Sequence, residues 1–269
     1  MKNKNNNVYI YLLIFIIIIL LLLFYLFDIK NIKVQKYLNN IYNNNILLKN
    51  QFKNYINDKY IISEKNNIII IEDFLNPSFF DFLKNQFNDI NFKSKDFYLR
   101  KASGLDFLNL HKSNDYNGLL ELYYSSEILD FLGHILKKPI QRPTLSDSNA
   151  SSLLIYSNEG DYIDWHKDYS IYNGDRYVIL LTLVNENSSK DDMSNNEFVY
   201  IYNNKNYKFK MKPNSLVIFK GSEVYHKSTS IKANEKRILY SMVFCDICQE
   251  KKNILHFTYE KIKNNILYI

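Results

Sequence analysis

Chemistry is suggested first by Trp165-His166-Lys167-Asp168, inside the stretch GDYIDWHKDYS at 160–170. A 2-His-1-carboxylate triad holds Fe(II) through three ligands on one face and leaves the other positions open for co-substrate and oxygen. Two of those ligands can come from one strand end if they are spaced i, i+2, because alternate strand residues point the same way. His166 and Asp168 have that spacing. The third ligand must arrive from a distant strand returning to the same end, and His226 in FKGSEVYHKS follows the apolar run SLVIF and a glycine-containing turn. Of the five histidines, His111 and His134 fall in the helical region and His256 in the tail, so none is an equal candidate. A lone His-x-Asp is a weak signal. Context has to strengthen it.

An anionic co-substrate needs a cation at the far end of its pocket. Lys236 and Arg237 stand ten and eleven residues after His226 and open the otherwise apolar run RILYSMVF. Arg237 suits a carboxylate better, since its planar fork can engage both oxygens, and Lys236 is the fallback.

The elements that must position these residues follow from the local pattern. NNIIIIEDFLNPSFFDFLKNQF reads as a β-branched strand over Ile68–Ile71, then a helix with Pro77 in its first turn after Asn76. A second helical stretch runs from about Gly118 to Leu136. From Ser151 onward the texture changes to short β runs (SSLLIY, YVILLTLV, EFVYIY, YKFKM, SLVIF, RILYSMVF), with NNKN at 203–206 as the clearest hairpin turn. Helices followed by many short strands predict an α+β domain whose β part is a sandwich or barrel.

In order and spacing, IIIIEDFL, LLIYSNEGDYIDWHKD, RYVILLTLVNE, KPNSLVIFKGSEVYHKS and EKRILYSMVF resemble the 2-oxoglutarate/Fe(II)-dependent dioxygenases, particularly the prolyl 4-hydroxylase-like branch. The resemblance covers residues 67–248. It implies a double-stranded β-helix (jelly-roll) core with supporting N-terminal helices, and it implies His166, Asp168 and His226 as the metal ligands. It also implies that Tyr156, ten residues before His166, bonds the distal carboxylate of 2-oxoglutarate together with Arg237 or Lys236. The expected activity couples decarboxylation of 2-oxoglutarate to succinate with hydroxylation of a peptidyl residue, using Fe(II), O2 and ascorbate as reductant. A catalytically silent β-helix binding module and an oxygenase acting on a non-protein substrate are the alternatives. The family's Gly-Gly-Glu run is replaced by SNNEFVY at 194–200, and its proline after the distal histidine is missing, so the substrate does not carry over.

The remaining segments are read from composition. Residues 8–27 carry no charge, and twenty helical residues would rise about 30 Å, the thickness of a bilayer's hydrocarbon core. The run is too long for a cleavable signal peptide. Together with residues 1–7 before it and a polar stalk over 28–65 after it, it predicts a single-pass anchor in an endomembrane such as the ER, or in a viral membrane. Lysines on both sides leave the orientation open. The catalytic domain is expected over 66–248 and a tail over 249–269. The net charge of +6 comes from lysines scattered along the chain, with no basic stripe to favour nucleic acid. Cys245 and Cys248 lack a second ligand pair to complete a zinc site, which leaves them incidental or a facultative disulfide.

Overall fold

The computed structural model describes residues 9–19, 21–22, 25, 36, 54–87, 95–97, 99–113, 117–144, 147 and 149–251. The chain divides into two units, Met1–Leu47 and Leu48–Ile269, and the second holds every strand among the described residues.

In the first unit, the described residues 9–19, 21–22 and 25 are helical. Among the described residues no helix is long and apolar enough to cross a membrane. The expected transmembrane anchor over 8–27, and the single-pass membrane location drawn from it, are therefore corrected. Apolarity registers how oily a segment is; by itself it does not establish a spanning helix, which needs length and apolarity together. The other residues of that run and most of the polar segment after it lie outside the described residues, as do 252–269 of the expected tail.

The second unit is a curled antiparallel β-structure. Its strands are β1 (Ile61–Lys65), β2 (Ile68–Glu72), β3 (Lys95–Phe97), β4 (Arg100–Leu105), β5 (Ser151–Tyr156), β6 (Tyr162–His166), β7 (Arg176–Glu186), β8 (Phe198–Tyr202), β9 (Lys205–Phe209), β10 (Leu216–Lys220), β11 (Tyr225–Ser228) and β12 (Lys236–Cys245). They run in the order β1-β2-β10-β7-β12-β5-β4-β6-β11-β8-β9, with β3 beside β4. The structure has two halves that meet at β4. The larger one, β1 to β4, is centred on β7 and β12, which are buried almost end to end because their neighbours on both sides and the packing on both faces exclude water. The smaller half, β4 to β9, carries the short strands β6 and β11.

Four helices support the larger half: α1 (Pro77–Asn85), α2 (Phe107–Lys112), α3 (Asn117–Tyr124) and α4 (Ser126–Leu136). Asn76 caps α1, accepting from the Ser78 N–H, with Pro77 at the first helical position. The continuous helix expected from Gly118 to Leu136 is interrupted at Ser125, whose hydroxyl accepts from the Ile128 N–H and caps α4.

Asparagine supplies the tight turns of this glycine-poor chain. Among the described residues nine non-glycine residues have positive φ, and six of them are Asn. Asn203 and Asn204 (φ 47° and 57°) join β8 to β9 at the expected hairpin. Asn66 and Asn67 (φ 54° and 66°) make the same turn between β1 and β2. Two consecutive positive φ values match the twist of a two-residue hairpin, and Asn adopts them at lower cost than other side-chain-bearing residues. Thus Ile61–Lys65, within the segment read as a stalk, pairs along its length with β2. At the far end of β12, Cys245 and Cys248 are joined as a disulfide. Residues 249–251 then bond back to the 171–173 loop through Asn173 N to Gln249 O (2.9 Å) and Lys251 N to Ile171 O (2.8 Å).

Candidate metal and 2-oxoglutarate site

β6 and β11 pair antiparallel with His166 directly opposite His226. The pairing then slips: Ser228, two residues along β11, faces Ile163, three residues back along β6. This bulge is what aims the histidine. Ile163 packs against the interior cluster, so strict alternation would have turned His166 outward, and the extra residue turns it in. Asp168 lies just past the strand, where its N–H donates to the Gly221 carbonyl (3.0 Å). A Cβ on Gly221 would lie 2.7 Å from the Asp168 Cβ and 2.9 Å from Val178 Cγ2, so the close approach needs glycine.

His166, Asp168 and His226 converge, with one ligand atom from each within 4.8 Å of the others. His166 Nε2 is 3.7 Å and His226 Nε2 is 3.9 Å from the Asp168 carboxylate oxygens. Each imidazole turns its other nitrogen to the backbone: His166 Nδ1 lies 2.7 Å from the Asp164 carbonyl and His226 Nδ1 lies 3.1 Å from the Val224 carbonyl. A carbonyl only accepts, so Nδ1 carries the proton in both rings and the Nε2 lone pair faces the centre. Burial pushes the His226 pKa down, as does the neighbouring His166, while Asp168 pulls it up; the net direction favours the neutral, ligating ring. Phe198 stacks on His226 at 5.2 Å and Phe219 meets it edge-on at 4.8 Å. Exposure is uneven: 23% for the His166 side chain and 27% for Asp168, against 7% for His226. The centre is walled on the His226 side and open on the other.

Deeper in the barrel lies Arg237, 1% exposed. It stands opposite Tyr156 in the β12–β5 ladder, and its guanidinium sits 5.2 Å from the Tyr156 ring centroid. Nη1 donates to Ser228 Oγ (2.7 Å) and Nη2 to Met211 Sδ (2.9 Å), while Nε has no partner. Ser228 Oγ donates in turn to Asn196 Oδ1 (3.0 Å). Burial lowers the arginine's pKa, opposed by Tyr156, but a guanidinium stays protonated in proteins. No carboxylate among the described residues pairs with it. A buried cation left this way is costly unless an anion joins it. Lys236 points to the other face of β12 and donates to the Phe87 carbonyl (2.7 Å), so the two basic residues have different surroundings.

Ser228 links the two halves of the site. It lies two residues after His226 on the same face of β11, about 6.6 Å further in. That spacing was readable from HKS at 226–228, whereas Met211 and Asn196 lie in irregular connecting segments that carry no periodic signal. Trp165 faces outward, stacked on Tyr225 (5.2 Å, 23°) with the Lys227 ammonium 4.9 Å from its ring, a packing arrangement. Asp164 touches His166 only through its backbone carbonyl; its carboxylate accepts from the Trp165 N–H.

The donor set suits iron. Two imidazole nitrogens and one carboxylate are the ligands of the facial triad, and the unpaired Arg237 Nε offers a site for the remote carboxylate of a chelating diacid.

Neither a protein-family model nor a curated protein matches this chain. Solved structures do. The α-ketoglutarate-dependent non-heme epimerase SnoN from nogalamycin biosynthesis superposes with a TM-score of 0.51 at 9% identity, covering 67% of this chain and 79% of its own. A prolyl hydroxylase from Trichoplax adhaerens, solved with a hypoxia-inducible-factor peptide fragment, gives 0.49 at 16% identity over 68% of this chain and 84% of its own. A Pseudomonas putida prolyl-4-hydroxylase gives 0.46 at 11% identity over 70% and 95%. The second unit has the jelly-roll fold of the 2-oxoglutarate/Fe(II) oxygenases.

Proposed function

We propose that this protein is a 2-oxoglutarate- and Fe(II)-dependent dioxygenase that hydroxylates a peptidyl residue, with proline the first candidate. The observation that carries the reading is the fully buried Arg237, without an acidic partner among the described residues, in the same barrel interior as the His166, Asp168 and His226 cluster.

His166, Asp168 and His226 would hold the metal, their Nε2 atoms and carboxylate fixed by the Asp164, Val224 and Gly221 backbone contacts. Arg237 and Tyr156 would bind the remote carboxylate of 2-oxoglutarate, with Ser228 holding the guanidinium in place. When bound, iron and 2-oxoglutarate supply the oxidation: 2-oxoglutarate, O2 and substrate C–H become succinate, CO2 and substrate C–OH. Phe198, Phe219, Val178 and Leu239 line the interior and keep water from the reacting atoms. The open side, at His166 and Asp168, favours a substrate presented as a side chain of an extended peptide over one enclosed whole.

The test is succinate release from 2-oxoglutarate by the full chain with Fe(II) and ascorbate, with and without proline-containing peptides. Peptide-stimulated turnover with a gain of one oxygen on the peptide supports the reading. Stimulation only by small molecules would move the substrate to the non-protein class, and an Fe(II)- and 2-oxoglutarate-binding protein with no turnover would be a silent binding module.

A further inference from the structure

We propose that Met211 sets the length of the 2-oxoacid this site accepts, by holding Arg237 at a fixed distance from the metal cluster. The inference rests on the reading of Arg237 as the carboxylate anchor. Registers on the smaller half place Met211 below that anchor. His226 lies at the level of Tyr200, and Ser228 lies one inward step deeper, opposite Phe198, which in turn faces Phe209. Met211 follows Phe209 by two residues, a further step away from the metal. The guanidinium therefore spans from Ser228 on the metal side to the Met211 thioether on the far side.

A thioether is a weak acceptor for a buried cation, which makes its place here informative. It fills the space below the guanidinium without neutralising it, leaving the charge for a ligand. Met211 is itself fixed: it is 2% exposed, and its carbonyl accepts from Asn185 Nδ2 (2.8 Å) on β7. With the metal cluster at one end and a supported arginine at the other, the pocket measures its ligand. Shortening the support lets the guanidinium drop by about one carbon–carbon step, which admits a diacid one methylene longer.

The experiment is calorimetric titration of the Fe(II)-loaded full chain without oxygen, so that binding is read without turnover. The ligands are 2-oxoglutarate and its longer homologue 2-oxoadipate, and the proteins are wild type, Met211→Ala, Met211→Leu and Arg237→Leu. Wild type and Met211→Leu, which keep the volume, should favour 2-oxoglutarate. In Met211→Ala the preference should shift at least tenfold toward 2-oxoadipate. Should Met211→Ala fail to fold by circular dichroism, Met211→Val replaces it, with a smaller shift of the same sign. An unchanged ratio in a folded, shortened variant overturns the inference while leaving the anchor intact. If Arg237→Leu binds 2-oxoglutarate as wild type does, the anchor itself is wrong.

Discussion

The two halves of the β-structure make opposite use of the same antiparallel pairing. β7 and β12 run beside each other for ten paired positions, with one slip of a residue between Ile238 and Leu239, and bury nearly every side chain. β6 and β11 are five and four residues long, partly exposed, and their pairing slips by one residue at the point where the metal cluster forms. Long buried strands supply stability and tolerate little change in volume. Short bulged strands put polar side chains where regular pleating would not. Arg237 belongs to the first region but bonds Ser228 of the second, so the proposed co-substrate pocket lies where the rigid half supports the irregular one.

That division can be broken from either side. The largest effect should come from Asp168→Ala: Fe(II) binding by calorimetry and succinate release should both fall more than about a hundredfold, with the melting temperature near wild type. A large loss of stability would mean that the cluster serves the fold. Next is Arg237→Leu, which removes a buried unpaired cation. Its 2-oxoglutarate affinity should fall at least about tenfold, whereas its stability in denaturant should hold or rise, because an apolar residue of similar volume avoids the desolvation cost. Leu181→Ala on β7, where Leu181 is fully buried, should show the reverse: a loss of about 2–5 kcal/mol with unchanged metal affinity in the folded fraction. Gly221→Ala joins the two regions, since its Cβ would crowd Asp168 and Val178. Metal affinity should drop about 10–100-fold with a modest change in stability.

The smallest effect is one of pH. Burial would raise the Asp246 pKa, but the Lys138 ammonium (2.9 Å) and the N–H groups of Asp175 and Ile247 outweigh it, and the net shift is downward. A carboxyl whose folded pKa is depressed contributes stability above its unfolded pKa and loses that contribution as pH falls through the folded value. The melting temperature should therefore drop on acidification below about pH 4, and Asp246→Asn should flatten part of that slope.

The rigid half was easy to see in the amino-acid pattern. YVILLTLV, SLVIF and RILYSMVF are short, largely apolar runs whose length and β-branched residues favour a doubly buried strand, and each became one. The irregular half was legible only as chemistry: His166, Asp168 and His226 were singled out by type and spacing, not by the strand pattern around them. The bulge between Ile163 and His166 leaves no periodic trace, and neither does the support of Arg237 by Met211 from an irregular segment after β9. Asn66-Asn67 was not picked out as a hairpin turn, which left β1 in the stalk. The apolar run at 8–27 misled because apolar composition was read as a membrane span, and among the described residues no helix is long and apolar enough to be one.

The central claim is that the metal cluster and Arg237 grip two ends of one ligand, and such a grip makes the two binding events mutually dependent. The direct measurement is the 2-oxoglutarate dissociation constant of the full chain without oxygen, with and without Fe(II), in wild type and in Arg237→Leu. Tightening by Fe(II) in wild type, with most of the affinity lost in Arg237→Leu, is the expected result. Binding indifferent to both metal and arginine would contradict it.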